Sequence, residues 1–270
     1  MTDNLDKLIA RIREIGDLDT PASDPAYEYA SLPQCVIDAV FSIGARYEST
    51  QNAVKHFCDR QGWRKDGRGL GGREHTITEF VEVMLPYESR WRDMAVDLFS
   101  NEQLTSTTSG ILKAEAVFRF ATTLQQFGIE IFVDAMKSGL RDDLRSAIKN
   151  IHGQSSGLSH IYFLILAGNQ DGVKGDRMVT RFVADALDLQ RVTPAFAEEL
   201  VRAASLSLRA EFPRLMPSVL DNKIWTFQRK RSEAGSAKKS RRTCITSPCT
   251  DLGNSEAPRV ELASCQEAPR

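Results

Sequence analysis

The sequence predicts an all-α protein, and three observations carry that prediction. Apolar residues recur at three- and four-residue spacing through most of residues 3–228. No alternating apolar–polar run of useful strand length interrupts them. Ser, Thr, Asp and Pro mark helix starts, and Gly and Pro mark helix ends, at the places the periodicity demands.

Residues 3–16 fit a first helix, with Leu5, Leu8, Ile9, Ile12 and Ile15 on one face. The turn-rich segment 17–29 follows, with two prolines and several Asp and Ser residues. A second helix begins near Pro33, which suits a first-turn position, and buries Cys35, Val36, Ala39, Val40 and Ile43. Gly44 opens a turn, and Ser49 or Thr50 caps a third helix through Cys58. Residues 59–75 hold five glycines and five Lys/Arg, so they read as a mobile loop: solvated, or touching a nucleic-acid backbone. Helices are expected at 78–85, ended by Pro86, and at 91–99. A long one is expected at 109–128, stopped by Gly128, and shorter ones at 132–136 and 140–149. Beyond the turn His152–Gly157 come helices at 158–167 and 178–187, then one at 194–211 capped by Thr193 with Pro194 behind it, and a last one at 216–228.

Composition narrows the class. The chain has 270 residues, 41% apolar and 26% charged, which is ordinary for a globular protein. No run of 18 apolar residues and no signal-peptide core is present, so the expectation is a cytoplasmic protein without a membrane role. Such a protein would be nucleoid-associated in a bacterium, or nuclear through its basic tail. Cys35 and Cys58 read as buried thiols. Cys244, Cys249 and Cys265 supply three sulfurs with no nearby histidine, poor for zinc and short of a cluster, so neither metal nor cofactor is expected.

Net charge is −1, but residues 227–270 hold nine Lys/Arg against five Asp/Glu, a balance of +4 that leaves −5 on residues 1–226. The segment RKRSEAGSAKKSRR (229–242) starts a tail with few large apolar groups, expected to be disordered. Its basic half reads as a nucleic-acid arm, a localisation signal or a solubilising tail. The domains are therefore 1–228, helical and two-lobed, and 229–270.

The segment IKNIHGQSSGLSHIYFLILAGNQDGVKGDRMVTRF (148–182) organises the candidate site. A Gly/Ser turn between helices leaves backbone N–H groups free, and the following helix N-terminus adds positive potential, so the turn at 150–159 could hold a phosphate. The same glycines serve equally to end one helix and begin the next. Asp176, at the head of the next helix, reads either as an acid acting on what the phosphate positions or as an N-cap.

Four segments together carry a family resemblance over roughly residues 32–228. LPQCVIDAVFSIGARYESTQNAV (32–54) resembles an early helix with its DNA-probing loop, and SGILKAEAV (109–117) a small-residue, Lys-Ala-Glu helix start. NIHGQSSGLS (150–159) sits where a hairpin such as Leu-Pro-Gly-Val-Gly stands, and GDRMVTRF (175–182) resembles Val-Asp-Thr-His-x-x-Arg. Order and spacing are those of the helix-hairpin-helix DNA glycosylase superfamily, with its endonuclease-III-like fold. The resemblance implies a monomer on duplex DNA that flips and removes a damaged or mismatched base. It places Asp176 on the catalytic aspartate and Arg181 on the arginine five residues later. Gly153, Ser155 and Gly157 fall on the DNA-holding hairpin, and Arg46 and Tyr47 on the probing loop beside Gly44.

Departures from the pattern limit the chemistry. The position of the lyase lysine reads Gly157, so the implied activity is a monofunctional N-glycosylase without lyase function. Lys149 and Lys174 flank the region without matching the motif. His152 replaces the hairpin proline, Ser155 its second glycine, and Met178 the histidine after the aspartate. The alternative is a helix-hairpin-helix protein that binds DNA and has lost catalysis.

Overall fold

The computed structural model describes residues 2–20 and 28–245, with side chains for 3–20 and 28–231. Among them are twelve α-helices. They run α1 (Thr2–Arg13), α2 (Leu32–Phe41), α3 (Tyr47–Gln61), α4 (Ile77–Met84), α5 (Trp91–Phe99) and α6 (Lys113–Gln126). Then come α7 (Phe132–Ser138), α8 (Asp142–Lys149), α9 (Leu158–Ala167), α10 (Arg177–Ala186), α11 (Pro194–Leu208) and α12 (Pro217–Ile245). The described residues contain no strand, only the isolated bridges Tyr29–Asp66 and Leu104–Leu112. The protein is all-α. None of the described helices is long and apolar enough to cross a membrane.

Residues 1–230 form one compact unit, and Arg231–Arg270 a second whose described part is the end of α12. The first unit holds two hydrophobic cores. One joins α2 to α9 around Phe41, Phe57, Phe80, Phe99, Phe120 and Phe163. Its rings meet edge-on or stacked, Phe57 lying 5.1 Å from Phe80 and 5.8 Å from Phe99. At its centre α2 has all ten residues buried, because α3, α6 and α9 pack on different faces of it. The other core brings α1 back against α10, α11 and the start of α12, around Leu8, Ile12, Phe182, Val201, Leu208 and Ile224. The amphipathic first helix thus buries its stripe far along the chain.

Local chemistry accounts for the ends. Thr76 and Glu79 form a reciprocal capping box at α4. Thr193 caps α11, with Pro194 at its first position, as the sequence predicts. Gly62, at φ +66°, ends α3 in the left-handed region.

Several expectations need correction. The cap of α3 is Arg46, not Ser49 or Thr50: the helix starts earlier, and no side chain caps it. The long helix begins at Lys113 rather than 109, because residues 103–112 fold into a loop stitched by Thr105 N–H to the Ile111 carbonyl and Lys113 N–H to the Gln103 carbonyl, both 2.8 Å. Pro86 does not stop the backbone at once but sits in a 3₁₀ turn, Leu85–Tyr87. The basic loop is tied down by Arg68, whose guanidinium lies 3.7 Å from the centre of the Phe132 ring and donates to the Leu166 carbonyl. The last helix passes Gln228, where the sequence reading ends the folded domain, and continues to Ile245. Residues 246–270, most of the expected disordered tail, lie outside the described residues, as do the side chains of Cys244, Cys249 and Cys265.

Candidate functional site

The candidate site is built around the turn Lys174–Gly175–Asp176, between α9 and α10. Its three amides are all committed. Lys174 N–H donates to Asp221 Oδ1 at 3.0 Å, Gly175 N–H to Glu198 Oε1 at 3.2 Å, and Asp176 N–H to the Lys174 carbonyl at 2.6 Å. The last is an i→i+2 bond, so the chain turns as tightly as a trans backbone allows. Glycine fits closely in the middle: a Cβ on Gly175 would meet Glu198 Oε1 at 2.5 Å and the Pro194 carbonyl at 3.0 Å, so the Glu198 side chain would have to shift. Carboxylates from α11 and α12 thereby hold a turn that carries one cation and one acid.

Asp176 is the N-cap of α10, accepting Met178 N–H at 2.7 Å and Val179 N–H at 3.1 Å. Both bonds end on Oδ1; neither uses Oδ2. Capping therefore occupies half of the carboxylate, and the side chain is half-buried.

Lys174 turns towards the first core. Its Nζ is 3.2 Å from Ser42 Oγ, just past α2, and 3.6 Å from the centre of the Tyr162 ring on α9. Nine-tenths buried, it makes no ion pair within 4.0 Å among the described residues. Burial lowers its pKa, and the charges of Asp176, Asp38 and Asp221 oppose that shift. Asp221 is pushed up to about 8, first by burial and then by the Asp176 charge.

Asp38 stands on the face of α2 towards the same region. Its Oδ2 accepts from Tyr29 Oη at 2.7 Å and Gln51 Nε2 at 3.4 Å, and Gln51 also donates to Tyr29 Oη at 2.8 Å. Burial raises the Asp38 pKa, against the Tyr29 bond and the Lys174 and Lys65 charges. Buried carboxylates and a buried amine oppose stability unless well paired, so such a cluster marks a place where the fold accepts a cost for another end.

Aromatic side chains border the cluster. Tyr47, 45% exposed at the start of α3, packs on Trp225 of α12 with ring centres 5.4 Å apart. Arg229 lies over both rings, at 5.1 and 5.5 Å, and pairs with Glu48. The loop between α2 and α3 that delivers Tyr47 is held by Lys113, whose Nζ donates to the Phe41 and Ile43 carbonyls, each at 2.8 Å, and to Gln103 Oε1 at 3.2 Å. Two surface cavities, of about 670 and 340 Å3, are lined by other residues, around Tyr87 and Arg90 and around Arg11 and Asp185.

The remaining expected site residues fall as follows. Arg46 and Arg181 are exposed. Between α8 and α9, Gly153 and Ser155 are exposed and Gly157 is buried. Gly157 N–H donates to the Gln154 carbonyl and Gln154 N–H to the Ile151 carbonyl, both at 2.9 Å. Gly157 is thus not one of the free donors the sequence reading assigns to the turn; the exposed Ser155 and Ser156 lie between the two committed amides. On the other side, His152 Nε2 donates to the Ser109 carbonyl, and Gly153 abuts Thr105 so closely that a Cβ would overlap it. The loop before α6 therefore packs against the first half of the turn.

Sequence reasoning missed Asp38, Asp221, Trp225 and Lys113, and treated Lys174 as a flanking residue only. One signal was available: an aspartate inside the helix LPQCVIDAVF, which is apolar but for Gln34 and leaves no polar face for it. Trp63 and Trp91 pack on His75 at 3.9 Å and on Phe118 at 5.3 Å. Among the described residues, no group of three or more His, Cys, Asp or Glu is arranged to hold a metal ion.

Fold and site together define an all-helical protein with two cores and a buried cluster of acids around one lysine. The chain belongs to the family described as a domain of unknown function (DUF8548), whose model matches residues 6–229. No curated protein and no solved structure matches it.

Proposed function

We propose that the protein is a DNA-binding base-excision enzyme, a monofunctional N-glycosylase with Asp176 as its catalytic acid. The observation that carries the reading is the turn Lys174–Gly175–Asp176. Two carboxylates from other helices lock it, and it presents an acid whose Oδ2 the helix cap leaves unused. In a half-buried setting that oxygen can stabilise the positive charge developing on a sugar as its base departs, or orient the attacking water. Tyr47 and Trp225 offer rings for stacking an unpaired base. Ser155 and its neighbour Ser156, with Arg46 and Arg181, supply exposed donors for the phosphate backbone. The order of helices and motifs described above, similar to that of the helix-hairpin-helix glycosylases, supports the same reading.

The test is base release from duplexes bearing a panel of damaged and mismatched bases, with Asp176→Asn beside the unmodified chain. Asparagine keeps a capping oxygen, so folding should survive while release falls roughly a hundredfold or more. No release by the unmodified chain from any substrate refutes the enzyme. The second reading, a DNA-binding protein without catalysis, is favoured by the cap itself, which gives Asp176 a structural role. It expects duplex binding that Asp176→Asn leaves unchanged.

A further inference from the structure

We propose that Lys174 is the proton donor to the departing base, working opposite Asp176 across the substrate. This assignment rests on the N-glycosylase reading above and adds a second catalytic residue to it.

The placement of the amine comes first. Lys174 and Asp176 leave the same three-residue turn, closed by the 2.6 Å bond between their backbones. Asp221 and Glu198 grip that turn from two helices, so neither side chain can drift by backbone motion. Three carboxyls act on the Lys174 charge, those of Asp176, Asp38 and Asp221, from α10, α2 and α12. None of them forms an ion pair with it within 4.0 Å. A lysine buried without an ion pair needs other acceptors for its protons, as Lys113 finds in two carbonyls and an amide oxygen. This one is held on one side by a hydroxyl and on another by a ring face: Ser42 Oγ at 3.2 Å and Tyr162 at 3.6 Å. An ammonium has three protons. Ser42 takes one and the Tyr162 face meets a second; among the described residues no acceptor takes the third.

The chemistry needs such a group. When an N-glycosidic bond breaks, the electron pair goes to the base and the sugar becomes positive. Asp176 faces the sugar charge, and water supplies the hydroxyl that ends on the sugar. An uncharged base leaves as an anion unless it is protonated as the bond breaks. Lys174 gives that proton to a ring nitrogen or oxygen of the base and becomes a neutral amine, which solvent then reprotonates. The proton lost by the attacking water goes to solvent through Asp176, so charge and atoms balance. Burial lowers the pKa of the amine and makes the transfer easier, and the charges of Asp176, Asp38 and Asp221 oppose that shift. Among the described residues the groups facing it are Asp176, Asp38 and Asp221, with the Ser42 hydroxyl and the Tyr162 ring as uncharged contacts.

The assignment separates two kinds of substrate. A purine alkylated on a ring nitrogen is already cationic and leaves as a neutral base, so it needs no acid. An uncharged lesion does. Single-turnover base release by the full chain should therefore fall roughly a hundredfold or more in Lys174→Met for uncharged bases, and little for cationic ones. Lys174→Arg keeps the charge but has no proton to give at working pH, so it should not rescue. If the unmodified chain releases no base at all, the glycosylase reading fails and this assignment with it. If it releases bases but Lys174→Met slows both kinds equally, or Lys174→Arg restores the rate, the donor role is overturned alone. Release of cationic bases only would also overturn it. Should the variants not fold, the unmodified chain still decides. Its kcat/KM for uncharged bases should fall as pH rises through the lysine titration, with no such limb for cationic bases; matching profiles for the two would refute the assignment.

Discussion

Lys113 offers the sharpest quantitative test of how this protein is held together. Its ammonium is 3% exposed and bonded to two main-chain carbonyls at the end of α2 and to one amide oxygen, with no carboxylate in contact among the described residues. Burial lowers its pKa from 10.5 to about 8. Between those values the unfolded chain holds a proton on Lys113 that the folded chain has released. Folding stability therefore rises as pH climbs from about 8 to 10.5, and below about 8 the full penalty of a buried charge is present. At about 1.4 kcal/mol per pH unit, the interval amounts to about 3 kcal/mol. Other groups titrate nearby in the opposite sense: the Cys58 thiol, pushed up to about 11 by burial, makes stability fall as pH rises above 9. The quantity to measure is thus the difference between the unmodified chain and Lys113→Met. Urea unfolding at several pH values across the interval should show the lysine chain gaining about 3 kcal/mol on the variant. A difference constant with pH would refute the buried-amine account. The substitution also frees the Phe41 and Ile43 carbonyls, so Tyr47 should become more mobile, readable as loss of its contact with Trp225 by fluorescence.

Three further outcomes are expected. His160, 2% exposed and donating to the Gly139 carbonyl at 2.9 Å, has its pKa lowered to about 4 by burial. The unfolded chain takes up that proton first, so stability should fall by about 3 kcal/mol as pH drops from 6.5 to 4; a His160→Gln chain that loses as much over that range would contradict it. Gly153→Ala should destabilise by about 1–2 kcal/mol from its left-handed backbone alone, at φ +83°, and by more from overlap with Thr105. Thr105→Gly in the same chain should recover only the second part, and complete recovery in thermal unfolding would count against the backbone argument. A chain ending at Arg231 keeps the Arg229–Glu48 pair but loses Lys238, Lys239, Arg241 and Arg242. It should bind duplex DNA more weakly and with a shallower salt dependence, and an unchanged slope would assign the basic segment another task.

What the sequence determined by itself was the set of helices and several of their ends. α5 and α9 begin and end where periodicity and caps place them, and Thr193 with Pro194 starts α11 as expected. These are properties of short segments: spacing decides which face is apolar, and one or two side chains satisfy the free amides of a first turn. Asp176 as a cap belongs to this level too. The tertiary structure decided the rest, because it depends on partners distant in sequence. Lys174 gains meaning only when Ser42, Tyr162 and Asp221 converge on it. Lys113 becomes the clamp of a loop some 70 residues away in sequence. Gly157 reads as a free donor until the Gln154 carbonyl accepts its N–H, and Gly153 as free to take a side chain until Thr105 comes against it. Whether a polar group is spent or left available is settled by which atoms come within about 3 Å of it, and a linear pattern carries that only for near neighbours.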